Sequence, residues 1–249
     1  MGRVLAFVSG KGGVGKSSIS VMASRALSRQ NKVLLIDMDV GFNTLDIILG
    51  NTESLFNLKD LLLKLKEPNE VIKHINEGLY FICAPDSPID LSLFRVFLNE
   101  ACEEYDYIII DFPAGRLFDE IKQLPKTTEF FVVAQPSAVS INDAGAMSSD
   151  LHNNDFSDVR LIINQFDYKA LKSRKNREIR ITIDDMIDGS CARLIGIVPY
   201  DNNVLKLSFG KAMPYSSAAA AAVERICDRI KGRYLPLPKL KKFNKEFLI

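Results

Sequence analysis

The sequence predicts a three-layer α/β fold in which a mostly parallel central sheet is flanked by helices. Short β-branched runs recur along the chain, and most are continuously apolar, as expected of strands that are buried on both faces. Amphipathic segments of helical length separate these runs. Strands that alternate with helices form parallel sheets with right-handed crossovers. With 249 residues, the chain is long enough for one large domain of this kind.

Each element follows from a local pattern. The predicted strands are Arg3–Val8, Lys32–Ile36, Leu79–Cys83, Tyr107–Ile110, Phe130–Ala134, Val159–Ile163 and Leu194–Val198. Helical periodicity marks Ser17–Arg29, Leu91–Glu104, Ile141–Leu151 and Ala218–Lys231. The mixed-charge stretch around His74 also favours a helix. Ligands of parallel sheets bind at the carboxyl ends of the strands, so the residues that directly follow a strand are the candidates for a site.

Composition limits the classes of function. Hydrophobic residues make up 47% of the chain and charged residues 25%, which is typical of an ordered globular protein. The net charge of +1 does not suit a protein that coats nucleic acid, and no stable nucleic-acid complex is expected. The least hydrophobic stretch, residues 169–180 (KALKSRKNREIR), is interpreted as a solvated loop.

The cysteines and the apolar runs indicate in which cellular compartment the protein is expected. The four cysteines are widely spaced and form no CxxC pair, which favours reduced thiols in a cytosolic core. No apolar run approaches the roughly 20 residues that a membrane span needs. The first residues lack the apolar segment of a cleavable signal. We therefore expect a cytoplasmic protein.

The stretch Gly10–Ser17 fits the phosphate-loop pattern G-x-x-x-x-G-K-[ST], directly after a predicted strand and before a predicted helix. Glycines let backbone N–H groups approach an anion, and a helix amino terminus attracts it. Lys16 is expected to contact the β- and γ-phosphates, and the Ser17 hydroxyl to ligate Mg²⁺. The predicted phosphate-binding residues are Gly10, Lys11, Gly12, Gly13, Val14, Gly15, Lys16, Ser17 and Ser18.

Three aspartates follow predicted strands at the same edge of the sheet. Asp37 and Asp39 come after one strand, and Asp111 ends another. A carboxylate in this position can hold Mg²⁺, directly or through water, or orient an attacking water. Three of them beside a phosphate loop predict a nucleotide-hydrolysing site.

Three blocks, SGKGGVGKSS, DMDVGFNTLDIILG and YDYIIIDFPAG, together resemble the MinD/ParA group of deviant Walker-A ATPases, and the middle block is similar to the MinD branch in particular. The resemblance implies a SIMIBI-type P-loop NTPase fold, with ATP and Mg²⁺ as ligands and slow, switch-type hydrolysis. It also implies an ATP-dependent homodimer in which Lys11 reaches the phosphates on the other subunit. Within one subunit, Lys11 would only crowd Lys16.

The resemblance also implies roles for single residues. The catalytic residues that it implies are Lys11, Lys16 and Asp39, and Asp39 is expected to position the hydrolytic water. Ser17, Asp39 and Asp111 become the metal residues, and Pro113, Ala114 and Gly115 a switch that senses the γ-phosphate.

On the base side, Asn164 matches a family asparagine that contacts adenine, and Pro199 and Asp201 match a loop that closes over the base. Two positions depart from the family pattern. Thr44 stands where many relatives carry asparagine, so no role is assigned to it, and Gln165 stands where an arginine often follows.

The chain divides at Pro236 into an ATPase domain, residues 1–235, and a tail, residues 236–249. On a helix, the apolar and basic tail residues would lie on different sides: Leu240, Phe243, Phe247 and Leu248 against Lys241, Lys242 and Lys245. MinD relatives commonly end in a short membrane-binding helix, which implies a peripheral position on the inner face of the plasma membrane when ATP is bound. The alternative is a frayed terminus, or one docked on its own domain.

The resemblance suggests a spatial regulator of cell division that acts in septum placement and has a protein regulator of hydrolysis. The main alternatives are a ParA-type partition ATPase on DNA and another positioning ATPase of the family. Residues DMDVGFNTLD, in place of the D-x-D-P-Q typical of ParA, argue against the former. An iron–sulfur carrier on the same fold would need a cysteine after Asp111, and Phe112–Phe118 contains none. A metabolic ligase or kinase would not need Lys11.

Overall fold

The computed structural model describes residues 2–41, 44–50, 55–115, 121–168, 181–211, 213–214 and 216–237. The strands are β1 (Arg3–Ser9), β2 (Val33–Asp37), β3 (Lys73–Asn76), β4 (Leu79–Ile82), β5 (Tyr107–Ala114), β6 (Glu129–Ala134), β7 (Val159–Phe166) and β8 (Arg193–Pro199). The α-helices are α1 (Lys16–Ser28), α2 (Thr44–Leu49), α3 (Leu58–Leu62), α4 (Pro68–Val71), α5 (Leu91–Glu104), α6 (Ala138–Asn153), α7 (Ile183–Ser190) and α8 (Ala218–Ile230), and Asn202–Phe209 forms a 3₁₀ helix.

The strands form one eight-stranded sheet in the order β3-β4-β2-β5-β1-β6-β7-β8. All neighbouring pairs except β3 and β4 are parallel, which confirms the predicted fold class. Every residue of β2 and β6 is buried, so helices cover both faces of the sheet. Strand β1 lies in the middle, between β5 and β6, and the loop that follows it emerges among the carboxyl ends of its neighbours.

Strand β3 corrects the prediction of a helix around His74. This segment pairs antiparallel with β4 at the edge of the sheet, and the ring of His74 packs 5.2 Å from that of Tyr80. Exposure alternates along β3, as expected of a strand with one covered face. Four residues of mixed charge are too few for this alternation to be distinguished from a helical pattern in the sequence.

The long helices lie close to their predicted bounds, and α5 matches them at both ends. Helix α6 begins three residues before the predicted start, because the hydroxyl of Ser137 caps it by accepting a hydrogen bond from the Ser140 N–H at 3.3 Å. The sequence did not predict α2, α3, α4, α7 or the 3₁₀ helix, each of eight residues or fewer. Within the described ranges, no helix is long and apolar enough to cross a membrane. The basic stretch 169–180 and tail residues 238–249 lie outside those ranges.

Candidate functional site

The loop between β1 and α1 has the geometry of an anion site. Helix α1 begins at Lys16, and its N-cap residue is Gly15, with a φ of 88°. No side chain caps this helix, and no acidic residue lies in its first turn. The first-turn N–H groups therefore remain available to a ligand, at the positive end of the helix dipole.

The loop glycines leave room for such a ligand. Gly13 and Gly15 have positive φ values, 79° and 88°. A Cβ on Gly12 or Gly13 would meet no atom within 4 Å, whereas one on Gly15 would lie 2.3 Å from Nδ2 of Asn164. The loop is thus open on the ligand side and closely packed against β7 on the other.

A cavity of about 280 Å³ opens above this loop. Its wall joins the phosphate loop to Asp39 after β2 and to Ala114 at the end of β5, so three regions predicted separately from the sequence meet here. Its lining residues are Ser9, Gly12, Gly13, Val14, Gly15, Lys16, Ser17, Ser18, Asp39, Thr44, Ile48 and Ala114.

Lys16, which lines the cavity, forms a buried ion pair with Asp111. Nζ of Lys16 lies 2.9 Å from Oδ1 of Asp111, and the two residues are 7% and 1% exposed. The angles at this contact do not fit a hydrogen bond, so Oδ1 of Asp111 has an ionic contact but no hydrogen-bond partner. The same ammonium lies 3.4 Å from Oγ of Ser17. Lys16 is thus held inside its own subunit by Asp111.

Asp37 is fully buried beside this pair. Its carboxylate accepts hydrogen bonds from the N–H of Asp39 at 2.9 Å and from the N–H of Leu45, in the first turn of α2, at 3.3 Å. Burial and the neighbouring Asp111 raise its pKa to about 7, although the two N–H donors and Lys16 act in the opposite direction. Asp37 therefore fixes Asp39 and α2 relative to the sheet.

Lys11 contrasts with Lys16. It is half-buried, and its carbonyl oxygen accepts a hydrogen bond from the Ser9 hydroxyl at 3.0 Å. Its ammonium makes no hydrogen bond or ion pair with the described residues. A cation of the phosphate loop is therefore left without a partner among the residues of its own subunit that the structure describes.

The predicted metal residues suit a hard cation. Ser17 and Asp39 line the cavity, and Oδ1 of Asp111 is a buried oxygen whose 2.9 Å contact with the Lys16 ammonium is not a hydrogen bond. No three His, Cys, Asp or Glu side chains cluster as a metal cage in the described parts of the chain. Mg²⁺ typically binds through one or two protein oxygens together with waters and substrate phosphates, so this donor set fits it.

The predicted switch is formed by the end of β5 and the residue that follows it. Pro113 and Ala114 are the last residues of β5, and Ala114 lines the cavity. The Gly115 N–H donates to the Ser9 carbonyl oxygen at 2.9 Å, and Gly115 has a φ of 105°. The switch is therefore hydrogen-bonded to the start of the phosphate loop.

The predicted base-side residues do not line this cavity. Asn164 is buried, and its Nδ2 donates to the carbonyl oxygen of Val14 at 2.7 Å, which braces the phosphate loop. Asp201 accepts hydrogen bonds from Ser217, Ala219 and Asn203, and Pro199 is the buried last residue of β8. Their contact with a base stays a prediction.

Several residues were not assigned to the site from sequence. Thr44 and Ile48 of α2 line the cavity, as does Ser9. Nε2 of Gln135 donates to the Gly13 carbonyl oxygen at 3.1 Å and to Oε1 of Gln165 at 2.9 Å. The one signal for Gln135 is its place directly after β6, at the same edge of the sheet.

Comparison with known proteins gives a consistent result. Residues 5–214 match the model of the CobQ/CobB/MinD/ParA nucleotide binding domain. The septum site-determining protein MinD of Thermotoga maritima is 31% identical over 95% of this chain and 91% of its own length. MinD of Bacillus subtilis is 28% identical over 98% and 95%. Among solved structures, the MinC:MinD cell division protein complex of Aquifex aeolicus superposes with a TM-score of 0.83, at 26% identity over 95% of this chain and 99% of that one.

Proposed function

Because the chain belongs to the CobQ/CobB/MinD/ParA family of nucleotide-binding domains, we propose that it is a MinD-like ATPase that acts in the spatial regulation of cell division. ATP binding drives two subunits into a dimer with the nucleotides between them, and hydrolysis separates the subunits again. The names of its relatives, septum site-determining proteins, support septum placement as the task.

The unpartnered ammonium of Lys11 carries this proposal. Nothing in the described part of its own subunit pairs with it, whereas Lys16 is buried and paired with Asp111. A second subunit that faces the cavity would bring its bound phosphates to Lys11. A cation supplied in trans in this way is worth about 10³–10⁵ in rate in other nucleotide hydrolases.

The remaining residues have separable tasks in this proposal. Lys16 exchanges Asp111 for the β- and γ-phosphates, while the first-turn N–H groups of α1 hold the phosphate oxygens. Asp39, held through its backbone by Asp37, orients the attacking water. When bound, Mg²⁺ neutralises charge on the phosphate oxygens. Ala114 and Gly115 report on the γ-phosphate through their contact with Ser9.

We also propose that this chain has a protein partner and binds a membrane. One relative of known structure was solved as a MinC:MinD complex, which supports a protein partner for this chain too. The basic and apolar tail would hold the dimer on the inner face of the plasma membrane, since two copies together bind more strongly than one. Monomers released by hydrolysis would return to the cytoplasm.

Light scattering after size-exclusion chromatography tests the dimer. With Mg²⁺ and a non-hydrolysable ATP analogue, the wild-type chain should elute as a dimer, and with ADP as a monomer. Lys11→Ala should remain monomeric with either nucleotide while still binding the analogue. Lys66→Ala, which removes a surface lysine paired with Glu70, is the matched control and should dimerise. Dimerisation of Lys11→Ala would refute the role of Lys11.

A further inference from the structure

A second and larger cavity lies between α1, α8 and the 3₁₀ helix. Its volume is about 680 Å³, against about 280 Å³ for the cavity above the phosphate loop. The two cavities share no lining residue, although α2 borders both of them, with Ile48 on one and Leu49 on the other. The larger cavity is therefore separate from the phosphate loop, and an inference about its ligand is independent of the proposed ATPase function.

Most of its wall is apolar. The contributing residues come from α1, α2, β3, the 3₁₀ helix, α8 and the segment between the last two, and include Met22, Ala26, Leu49, Leu207, Met213 and Ala221. Small-molecule sites usually have volumes of about 300–1,000 Å³, apolar walls and a few polar groups that fix orientation. The size and lining of this cavity fall within that class.

One charged group in the wall has no partner. Arg25 of α1 is half-buried, and its guanidinium makes no hydrogen bond or ion pair with the described residues. Burial lowers its pKa below the ordinary value, a sign that the charge is incompletely solvated. Arg29, the C-cap residue that directly follows α1, pairs instead with Glu224 of α8 at 2.7 Å. A half-buried cation without a counter-charge is costly unless something pairs with it.

The charges nearby restrict what that partner can be. Arg29 and Glu224 both line the cavity and neutralise one another, which leaves one net positive charge, on Arg25, among the described lining residues. A singly charged head group matches this balance, whereas the dianion of a phosphate monoester would also meet the carboxylate of Glu224. A guanidinium binds a carboxylate through two parallel N–H···O bonds.

We infer that this cavity binds a small amphipathic carboxylate, with its head group on Arg25 and its apolar body between α1, α8 and the 3₁₀ helix. The wall residues Met22 and Ala26 lie on α1 beside Arg25, so one ligand can contact both the charge and the apolar wall. This ligand is distinct from the nucleotide in both charge and shape.

Methyl NMR with octanoate as the probe tests the site. The protein, labelled with ¹³C on its methionine methyl groups, is titrated with octanoate while Mg²⁺ and ADP occupy the phosphate loop. Met22 and Met213 line the cavity, whereas the buried Met147 and Met186 do not. The resonances of Met22 and Met213 should shift and saturate, and those of the other two should stay in place. Equal shifts at all four would overturn the proposal.

Two glutamine variants separate the charge from the apolar wall. Arg25→Gln should weaken octanoate binding about tenfold or more, because charge-assisted hydrogen bonds are lost. Arg95→Gln, which removes an exposed arginine on α5 outside the cavity, is the matched control and should bind as the wild type does. Octan-1-ol, which lacks the head group, should not distinguish wild type from Arg25→Gln. Equal octanoate affinities for wild type and Arg25→Gln would overturn the assignment.

A third variant covers the case in which Arg25→Gln does not fold. Arg25→Lys keeps the charge and the aliphatic stem but loses the paired geometry of the guanidinium. It should bind octanoate more weakly than the wild type does. Unchanged affinity in Arg25→Lys would mean that no two-point contact exists, which contradicts the proposed head-group site.

Discussion

At the scale of single residues, the phosphate loop separates two lysines by their partners. Lys16 is buried against Asp111, while the ammonium of Lys11 has no partner in the described part of the subunit. The spacing of the phosphate loop predicted Lys16, whereas the role of Lys11 came from the family resemblance. The sequence could not predict the ion pair of Lys16, because Asp111 lies 95 residues further along the chain and the contact depends on the pairing of β1 with β5.

Asp37, the last residue of β2, and Asp39 also differ in their contacts. The two carboxylate oxygens of the buried Asp37 accept hydrogen bonds from the N–H groups of Asp39 and Leu45, whereas Asp39 lines the cavity. Strand-end position predicted both residues, and only the geometry separates the anchor from the group that faces the ligand.

Replacing Asp39 should therefore stop hydrolysis without preventing assembly. Asp39→Ala should lower phosphate release by about 10²-fold or more, because the attacking water loses its orienting group. The variant should remain dimeric in ATP for longer than the wild type. A phosphate-release assay and chromatography in ATP measure the two effects, with Asp184→Ala, an exposed carboxylate on α7, as the control. Turnover at the wild-type rate would show that Asp39 does not position the water.

The loop glycines provide a second test at this scale. Gly15→Ala should destabilise the fold by about 1–3 kcal/mol, because alanine must adopt a φ of 88° and its Cβ would collide with Asn164. Gly12→Ala is the matched control, since a Cβ there meets no atom within 4 Å. Urea unfolding of both variants measures the difference. Equal stabilities would contradict the close packing of the loop on β7.

At the scale of secondary-structure elements, one carboxylate joins two helices. Asp201 caps the 3₁₀ helix and also accepts hydrogen bonds from the Ser217 hydroxyl at 2.7 Å and the Ala219 N–H at 3.2 Å, at the start of α8. Burial alone would raise the pKa of Asp201, but these donors together with Asn203 lower it below its ordinary value. Ionised Asp201 therefore stabilises the folded chain.

The sign of this effect fixes a pH dependence. Because the folded-state pKa of Asp201 is depressed, its contribution to stability is present above the unfolded-state value, about 4, and is lost as the pH falls through the folded value. Asp201→Asn should lower the free energy of unfolding by about 1–3 kcal/mol at pH 7, as hydrogen bonds to a charged acceptor are weakened. The difference should shrink below about pH 4. Urea unfolding between pH 3 and pH 8 measures it, and a constant difference would contradict the account.

The length of an element decides whether the sequence could predict it. Long strands are continuously apolar, and amphipathic helices such as α1 and α5 repeat their pattern over several turns. The predicted bounds of these elements are therefore close to the observed ones. The edge strand β3 and the short helix α2 carry four and six residues. Their conformation depends on tertiary contacts, such as the Asp37 carboxylate that caps the N–H of Leu45.

At the scale of the whole molecule, the end of α8 fixes where the tail begins. Arg225 and Arg229 donate to the carbonyl oxygen of Pro236 at 2.9 Å and 3.0 Å, and Arg229 also donates to those of Leu235 and Ile195. The chain up to Pro236 is thus tied to the domain. In a dimer, the two tails would leave from fixed points and could bind one surface together.

Vesicle pelleting tests the role proposed for the tail. With anionic vesicles, the full chain should pellet in ATP and stay in solution in ADP, because each basic residue near the surface contributes about 1 kcal/mol and only a dimer presents two tails. A chain truncated after Leu237 should stay in solution with either nucleotide while dimerising normally. Pelleting of the full chain in ADP to the same extent as in ATP, or of the truncated chain, would contradict the switch.

A mixture of two inactive variants shows whether Lys11 acts on the nucleotide that is bound to the other subunit. Lys11→Ala and Asp39→Ala are mixed before ATP is added, and phosphate release is followed. In a mixed dimer, the site on the Lys11→Ala subunit keeps its own Asp39 and receives Lys11 from its neighbour. If Lys11 acts in trans, the mixture will hydrolyse ATP at a rate that neither variant shows alone. A mixture as inactive as its two components, although mixed dimers form, would show that Lys11 serves its own subunit.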